Sequence, residues 1–158
     1  MSELPIPIEA ETRTGARPLS VATRTHVLIV DDHAGARALY AAFCDLFDHT
    51  TQTARSVVEA VEAVKRARFD VVVMNVGMKG VSGFDAIRAI RELPGPAAVT
   101  PIIGVTPLGR GDDAQRWLAL GVSGVVNKPV TASRLFAAIR SALEPSPGGP
   151  RSWAPSGA

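Results

Sequence analysis

The feature that most constrains this chain is an alternation of short, β-branched apolar runs with longer helical stripes. His26–Val30, Val71–Met74 and Pro101–Val105 are apolar runs of four or five residues, and Val122–Val126 is a fourth run broken by Ser123-Gly124, the pattern of strands in a buried sheet. His49–Thr53 is a weaker strand candidate. Between them run helical spacings: Leu39, Ala42, Phe43, Leu46 and Phe47; Val57, Val61 and Val64; Phe84, Ile87 and Ile90; Leu135, Ile139 and Leu143. Ala114–Leu120 predicts a further helix, closed by Gly121. Five strands alternating with five helices predict an α/β fold: a doubly wound, five-stranded parallel sheet covered on both faces. Such sheets place their sites beyond the carboxyl ends of the strands.

The length of 158 residues allows one domain with a sizeable core. Dense patterning covers residues 25–144. Residues 1–24, with Pro5, Pro7, Gly15 and Pro18, read as a flexible N-terminal tail, and the Pro/Gly/Ser-rich residues 145–158 as a second tail. The latter is too short for a DNA-binding output domain. Seventeen basic residues against fifteen acidic ones leave a net charge of +2, too slight an excess to argue for nucleic acid. A lone cysteine, Cys44, rules out a disulfide framework or a multi-Cys metal site. No apolar run reaches the roughly 18–20 residues of a membrane span, and the N-terminus lacks the basic start and apolar core of a secretory signal. A cytoplasmic protein is expected.

The residues after each strand carry the chemistry. Asp31 and Asp32 follow the first, Asn75 the third, Thr106 the fourth, and Lys128-Pro129 the fifth. Adjacent carboxylates repel unless a cation offsets them, and an oxygen-rich site of this kind suits Mg²⁺. Thr106 as donor and Lys128 as point charge suit phosphoryl oxygens. The acidic pair alone reads equally well as a solvated turn, and Lys128 alone as a surface lysine; their joint placement at strand ends is the specific signal. Gly77, Gly80 and Gly83 fit no phosphate-binding fingerprint and read as tight turning. His33 reads as a loop or first-turn residue, and Cys44 as a buried one.

Val27-Leu28-Ile29-Val30-Asp31-Asp32, Asp70-Val71-Val72-Val73-Met74-Asn75, Gly83, Pro101-Ile102-Ile103-Gly104-Val105-Thr106 and Asn127-Lys128-Pro129 resemble the receiver domain of two-component response regulators, the CheY-like (flavodoxin-like) fold. The resemblance implies that Asp32 ligates Mg²⁺ directly, that Asp31 acts mainly through water, that the carbonyl of Gly77 is a further ligand, and that Thr106 and Lys128 contact a phosphoryl group. It also implies an output face on the fourth helix, fifth strand and fifth helix, where Trp117, Arg116 and Arg134 are candidate partner contacts; packing of Trp117 onto the sheet or a neighbouring helix is the alternative reading.

Three positions depart from the family. Asn75 stands where the acceptor Asp belongs. A carboxamide is a poor nucleophile, so aspartyl phosphorylation is not expected there, although its carbonyl oxygen remains a donor to a cation. With two acids instead of three, Mg²⁺ binding should be weak. Lys79 replaces a usual Pro, and Val125 replaces the usual switch aromatic; valine has no such rotamer switch. The expected function is a stand-alone bacterial pseudo-receiver, not an enzyme, that binds a histidine kinase, a phosphotransfer protein or another signalling protein. It is expected to contact no nucleic acid and no membrane, and to be a monomer or weak homodimer. The alternative is an ordinary phosphorylatable receiver whose acceptor Asp was replaced by design. A more distant alternative is a binder of a small anion at Thr106 and Lys128. Ser82 is the nearest other hydroxyl, with nothing to activate it.

Overall fold

Strands form where β-branched residues run together, and five do so in register. In a computed structural model, which describes residues 24–80, 83–107 and 111–144, they are β1 (His26–Val30), β2 (Thr50–Ala54), β3 (Val71–Asn75), β4 (Ile102–Thr106) and β5 (Gly124–Asn127). They alternate with α1 (Ala34–Leu46), α2 (Val57–Arg66), α3 (Gly83–Arg91), α4 (Gly111–Ala119) and α5 (Ala132–Leu143), with a 3₁₀ turn at Gly95–Val99 before β4. All pairings are parallel, in the order β2-β1-β3-β4-β5. This is the expected α/β architecture. The expected tails at 1–24 and 145–158 lie outside the described residues, Arg24 excepted.

Alternation along the buried strands divides the core into two halves. Leu28, Val30, Val72, Met74 and Ile102 face α2, α3 and Trp117 of α4. Val27, Ile29, Val71, Val73, Ile103, Val105 and Val126 face Tyr40 and Cys44 of α1 and Leu135 and Ile139 of α5. The strand order reverses between β1 and β3, so the crossovers leave a crevice above their carboxyl ends. The edge strand β2 reads Thr-Thr-Gln-Thr-Ala and exposes Gln52 and Thr53. A polar edge resists pairing with other chains, and it is why the apolar signal there is weak.

Two helices depart from the expected stripes. In α1 the core face is Tyr40 and Cys44, whereas Leu39 and Leu46 are 47% and 73% exposed. Of the expected stripe, Phe43 packs against this core and Phe47 stacks on Phe136, while Leu39 and Leu46 fall outside it. In α5, Ala142 is buried and Leu143 is 40% exposed. The helix starts are local: Ser56 accepts from the Glu59 N–H (3.1 Å) and Thr131 from the Arg134 N–H (3.2 Å). Gly121, at φ 82°, closes α4 as expected.

Candidate functional site

Asp31 leaves β1 with its N–H still bonded to the Ala54 carbonyl (3.0 Å), which carries the carboxylate into the crevice fully buried. Its Oδ1 accepts from the His33 N–H (2.9 Å) and from the Asn75 side-chain amide (3.3 Å). Its Oδ2 is buried with no partner among the described residues. The Arg37 guanidinium is spent on the Asp31 backbone carbonyl (2.8 Å) rather than on the carboxylate.

Asn75 ends β3 almost completely buried. Its Oδ1 accepts from the Gly77 N–H at 2.9 Å. That bond fixes the amide's orientation, because an N–H must meet the oxygen, and it turns the NH₂ toward Asp31. The carbonyl oxygen expected to serve a cation is thus engaged by Gly77. Where a second carboxylate would repel Asp31, the amide donates to it.

Asp32 is more open. Its Oδ2 accepts from the Lys79 N–H (3.2 Å), and its Oδ1 lies 3.2 Å from His33 Nδ1. The Lys79 hydrogen bond, followed by the His33 ring, holds the Asp32 carboxyl below the ordinary carboxylate range. Lys79 therefore does what a proline cannot, since proline has no N–H to give. Asp31, Asp32 and His33 bring one ligand atom each within 4.8 Å of one another. His33 is the N-cap residue of α1, as expected of a first-turn position, but its ring also belongs to the acidic cluster.

Thr106 and Lys128 arrive at the same end of the sheet. Thr106 is buried at the tip of β4, its carbonyl accepts from the Lys128 N–H (2.8 Å), and it pairs in register with Asn127. The Lys128–Pro129 bond is cis. Among the described residues no carboxylate lies within 4.0 Å of the Lys128 ammonium. Val125 is half-buried and packs on the α2–α3 side of the core. Ser82 lies outside the described residues.

Trp117 is not a surface anchor. It is 3% exposed and stacks on Phe84 with centroids 3.9 Å apart, so its place on the expected partner face is corrected: its area is spent inside the fold. The Arg116 guanidinium sits 3.9 Å from the same Phe84 ring. Arg116 and Arg134 remain exposed, on α4 and α5. Gly83 is what lets the aromatic pair close, because a Cβ there would lie 2.6 Å from Trp117 Cη2 and from the Val76 carbonyl oxygen. Spacing reveals the apolar stripe of α3 but not this stack, which joins two helices far apart in sequence.

This geometry has known counterparts. Residues 27–140 match the family model of the response regulator receiver domain, and the chain belongs to that family. It is 32% identical over 124 residues to the gliding motility regulatory protein of Myxococcus xanthus, covering 77% of this chain and 16% of that protein. It is 31% identical over 105 residues to the sensor histidine kinase RcsC of Escherichia coli K12, covering 66% of this chain and 11% of that one. The chain thus spans less than a fifth of the length of these relatives. Among solved structures, the chemotaxis response regulator CheY4 of Vibrio cholerae superposes with a TM-score of 0.69 at 28% identity, over 77% of this chain and all of that one.

Receiver domains generally bind Mg²⁺ at an acidic pocket, and the residues present fit a cation in part. The buried, unpartnered Asp31 Oδ2 beside Asp32 is the oxygen a cation would satisfy. Asn75 adds no charge and presents hydrogens to Asp31. Asp31 and Asp32 would hold the ion, with the Gly77 carbonyl as the third ligand implied by the resemblance. The ion would supply charge neutralisation for an approaching phosphoryl or carboxylate group.

Proposed function

We propose that this chain is a pseudo-receiver of a two-component system, which works by protein–protein contact and without aspartyl phosphorylation. The observation that carries the reading is Asn75: a buried carboxamide at the acceptor position, its oxygen bonded to the Gly77 N–H and its NH₂ to Asp31. An acceptor must offer a carboxylate oxygen to phosphorus, and this group offers none. The Lys79 N–H and the His33 ring further satisfy Asp32 from within the protein. With the phosphate bias absent, nothing supplies the differential stabilisation that shifts a receiver between states.

The partner is a histidine kinase or a phosphotransfer protein, met in the cytoplasm, and the chain does no chemistry of its own. Receiver domains engage such proteins, and similarity to sensor histidine kinases such as RcsC supports that choice. The exposed Arg116 and Arg134, with Leu118 at 52% exposure, supply the contact face on α4 and α5. No helix among the described residues is long and apolar enough to cross a membrane.

A small phosphodonor such as phosphoramidate with Mg²⁺ tests the reading. No hydroxylamine-labile phosphate should form on this chain, and its appearance would overturn the proposal. The Asn75→Asp variant distinguishes the second reading, a phosphorylatable receiver with a replaced acceptor, which the retained Thr106 and Lys128 favour. Robust labelling of the variant supports that second reading. Failure of the variant to label places the loss in the rest of the site as well.

A further inference from the structure

A cavity among the described residues lies at the opposite end of the sheet from Asn75. It is a groove of about 670 Å³ beside the amino ends of β3 and β4. Val64, Phe69, Leu93, Pro96 and Val99 give it apolar walls, and Val99 is 40% exposed there. Its rim is basic: Lys65, Arg66 and Arg68 line it, against the single acid Asp70. Asp70 is already committed, its carboxylate accepting from the His26 N–H at 2.7 Å. Among the described residues, Lys65 and Arg66 share only Glu62, at 3.9 Å each, in exposed pairs. Such pairs are weak and yield readily to a better partner.

We propose that this groove binds the chain's own N-terminal segment, residues 4–11, Leu-Pro-Ile-Pro-Ile-Glu-Ala-Glu. Three observations select this occupant. The first is charge complementarity: residues 1–12 carry Glu3, Glu9 and Glu11 and no basic side chain, which matches the basic rim. The second is chemistry: Leu4, Ile6 and Ile8 carry apolar side chains suited to the apolar walls. Proline at positions 5 and 7 has a fixed φ and so less backbone freedom to lose, which lowers the ordering cost of binding. The third is position. The chain enters the fold at His26, whose ring stacks on Phe69 of the groove wall (4.7 Å between centroids) and whose backbone pairs with Asp70 on the groove's edge. The twelve residues from Thr12 to Thr23 span up to about 40 Å when extended, ample to bring residue 11 back to the rim. A tether of that length holds the segment at a high effective concentration. Modest contacts then suffice, and the docked segment covers the apolar groove that the fold alone leaves open. This inference is independent of the chemistry at Asn75.

The full-length chain tests it. Cys44 is buried, its thiol pushed up to about 11 by burial, so Ser2→Cys takes a nitroxide label selectively. The label should broaden the amide signals of residues 67–70 and 97–99 and spare those of Gly77–Gly80 at the far end of the sheet. Ile6→Asp with Ile8→Asp should abolish the broadening, and so should Arg66→Glu with Arg68→Glu. Adding Glu9→Arg and Glu11→Arg to the latter pair should restore it. The isoleucine variants lie outside the packed domain, so their result stands whether or not the rim variants fold. Equal broadening at both ends of the sheet, or broadening that survives the isoleucine changes, would overturn the proposal. So would broadening of an isotope-labelled, spin-free copy mixed with an unlabelled spin-bearing one, because the occupant would then be a second copy.

Discussion

The two ends of the sheet handle buried charge in opposite ways. At the carboxyl end, Asp31 is fully buried with one oxygen bonded and the other left without a partner. At the amino end, Arg91 is 4% exposed, and three carbonyls receive its guanidinium: Ala98 (2.9 Å) and Thr100 (2.8 Å) on Nη1, and Gly121 (2.9 Å) on Nη2. Only its Nε lacks a partner. Among the described residues no carboxylate lies within 4.0 Å of it. Burial pushes Arg91 down to about 10, still far above neutrality, so it stays charged. The arginine is a closed staple that joins α3, the 3₁₀ turn and the turn after α4. The aspartate keeps one buried oxygen that no described residue meets. A buried charge thus serves structure where the protein saturates it and serves a site where the protein does not.

The contrast is sharpest in Arg91→Ala. Three carbonyls lose their donor at once, and each unsatisfied buried group costs about 1–3 kcal/mol. A loss of ~3–5 kcal/mol is expected, read as a lower denaturant midpoint at unchanged slope. Arg91→Lys should fall between, since an ammonium cannot span all three carbonyls with the guanidinium's fixed fork. A cost near zero for Arg91→Ala would break the contrast by showing that water replaces the staple.

Gly83→Ala tests the floor of the carboxyl end. The new methyl would meet the Val76 carbonyl oxygen and the Trp117 ring at 2.6 Å each, and the backbone oxygen has no flexible way out. Overpacking of this kind costs ~1–3 kcal/mol. Thermal unfolding should show it, with near-ultraviolet dichroism reporting the disturbed Trp117–Phe84 stack. Trp117→Ala is a poor probe of partner binding for the same reason, since emptying a buried aromatic site costs ~3–5 kcal/mol by itself.

Much of this is legible in the sequence. The three central strands and the order of alternation follow from pattern alone, because two-sided burial leaves little room for polar residues; the edge strand β5 is only half-buried and its signal is interrupted by Ser123-Gly124. Asp31, Asp32, Asn75, Thr106 and Lys128 fall at strand ends, and the fold brings them to one end of the sheet. What escapes is long-range. Arg91 looks like any surface arginine on an amphipathic helix, because its three carbonyl partners are set by tertiary packing. Spacing assigns the α1 stripe to Leu39, Ala42, Phe43, Leu46 and Phe47 because it weighs hydrophobicity; it finds Phe43 but misses Tyr40 and Cys44, which pack beside Leu135 and Ile139 of α5. Trp117 reads as an interface anchor or as a packed residue, and the sequence does not choose between them because its stacking partner Phe84 is 33 residues away.

Asn75→Asp converts the amide–carboxylate contact at the carboxyl end into a carboxylate pair. The change removes a hydrogen bond of 3.3 Å and adds like-charge repulsion at a buried position. Without divalent ions the variant should lose ~1–2 kcal/mol. With Mg²⁺ it should recover, since a ligand that binds only the folded state stabilises by mass action. The midpoint shift on adding Mg²⁺ should be small for this chain and clearly larger for the variant. Equal shifts would mean that Asp31 and Asp32 alone set the affinity, and that Asn75 is not what weakens the site.

The smallest effect belongs to the amino end, where His49 precedes β2. Its Nε2 is buried without a partner, and the ring lies 6.0 Å from that of Phe136. Burial lowers its proton affinity below the ordinary 6.5, against a lesser opposing pull from Asp48 and Asp70. The sign follows from linkage. As the pH falls through 6.5 the unfolded chain takes up a proton before the folded one does, so this residue's share of stability is intact above that pH and is lost below it. His49→Phe keeps a ring against Phe136 and cannot titrate. Stability measured at about pH 7 and about pH 5 should therefore fall less in the variant than in the parent, after the carboxylates common to both cancel. An equal fall would mean that water reaches the ring and supplies the missing partner. The amino end would then be less closed than Arg91 makes it look, and the contrast between the two ends would rest on the arginine alone.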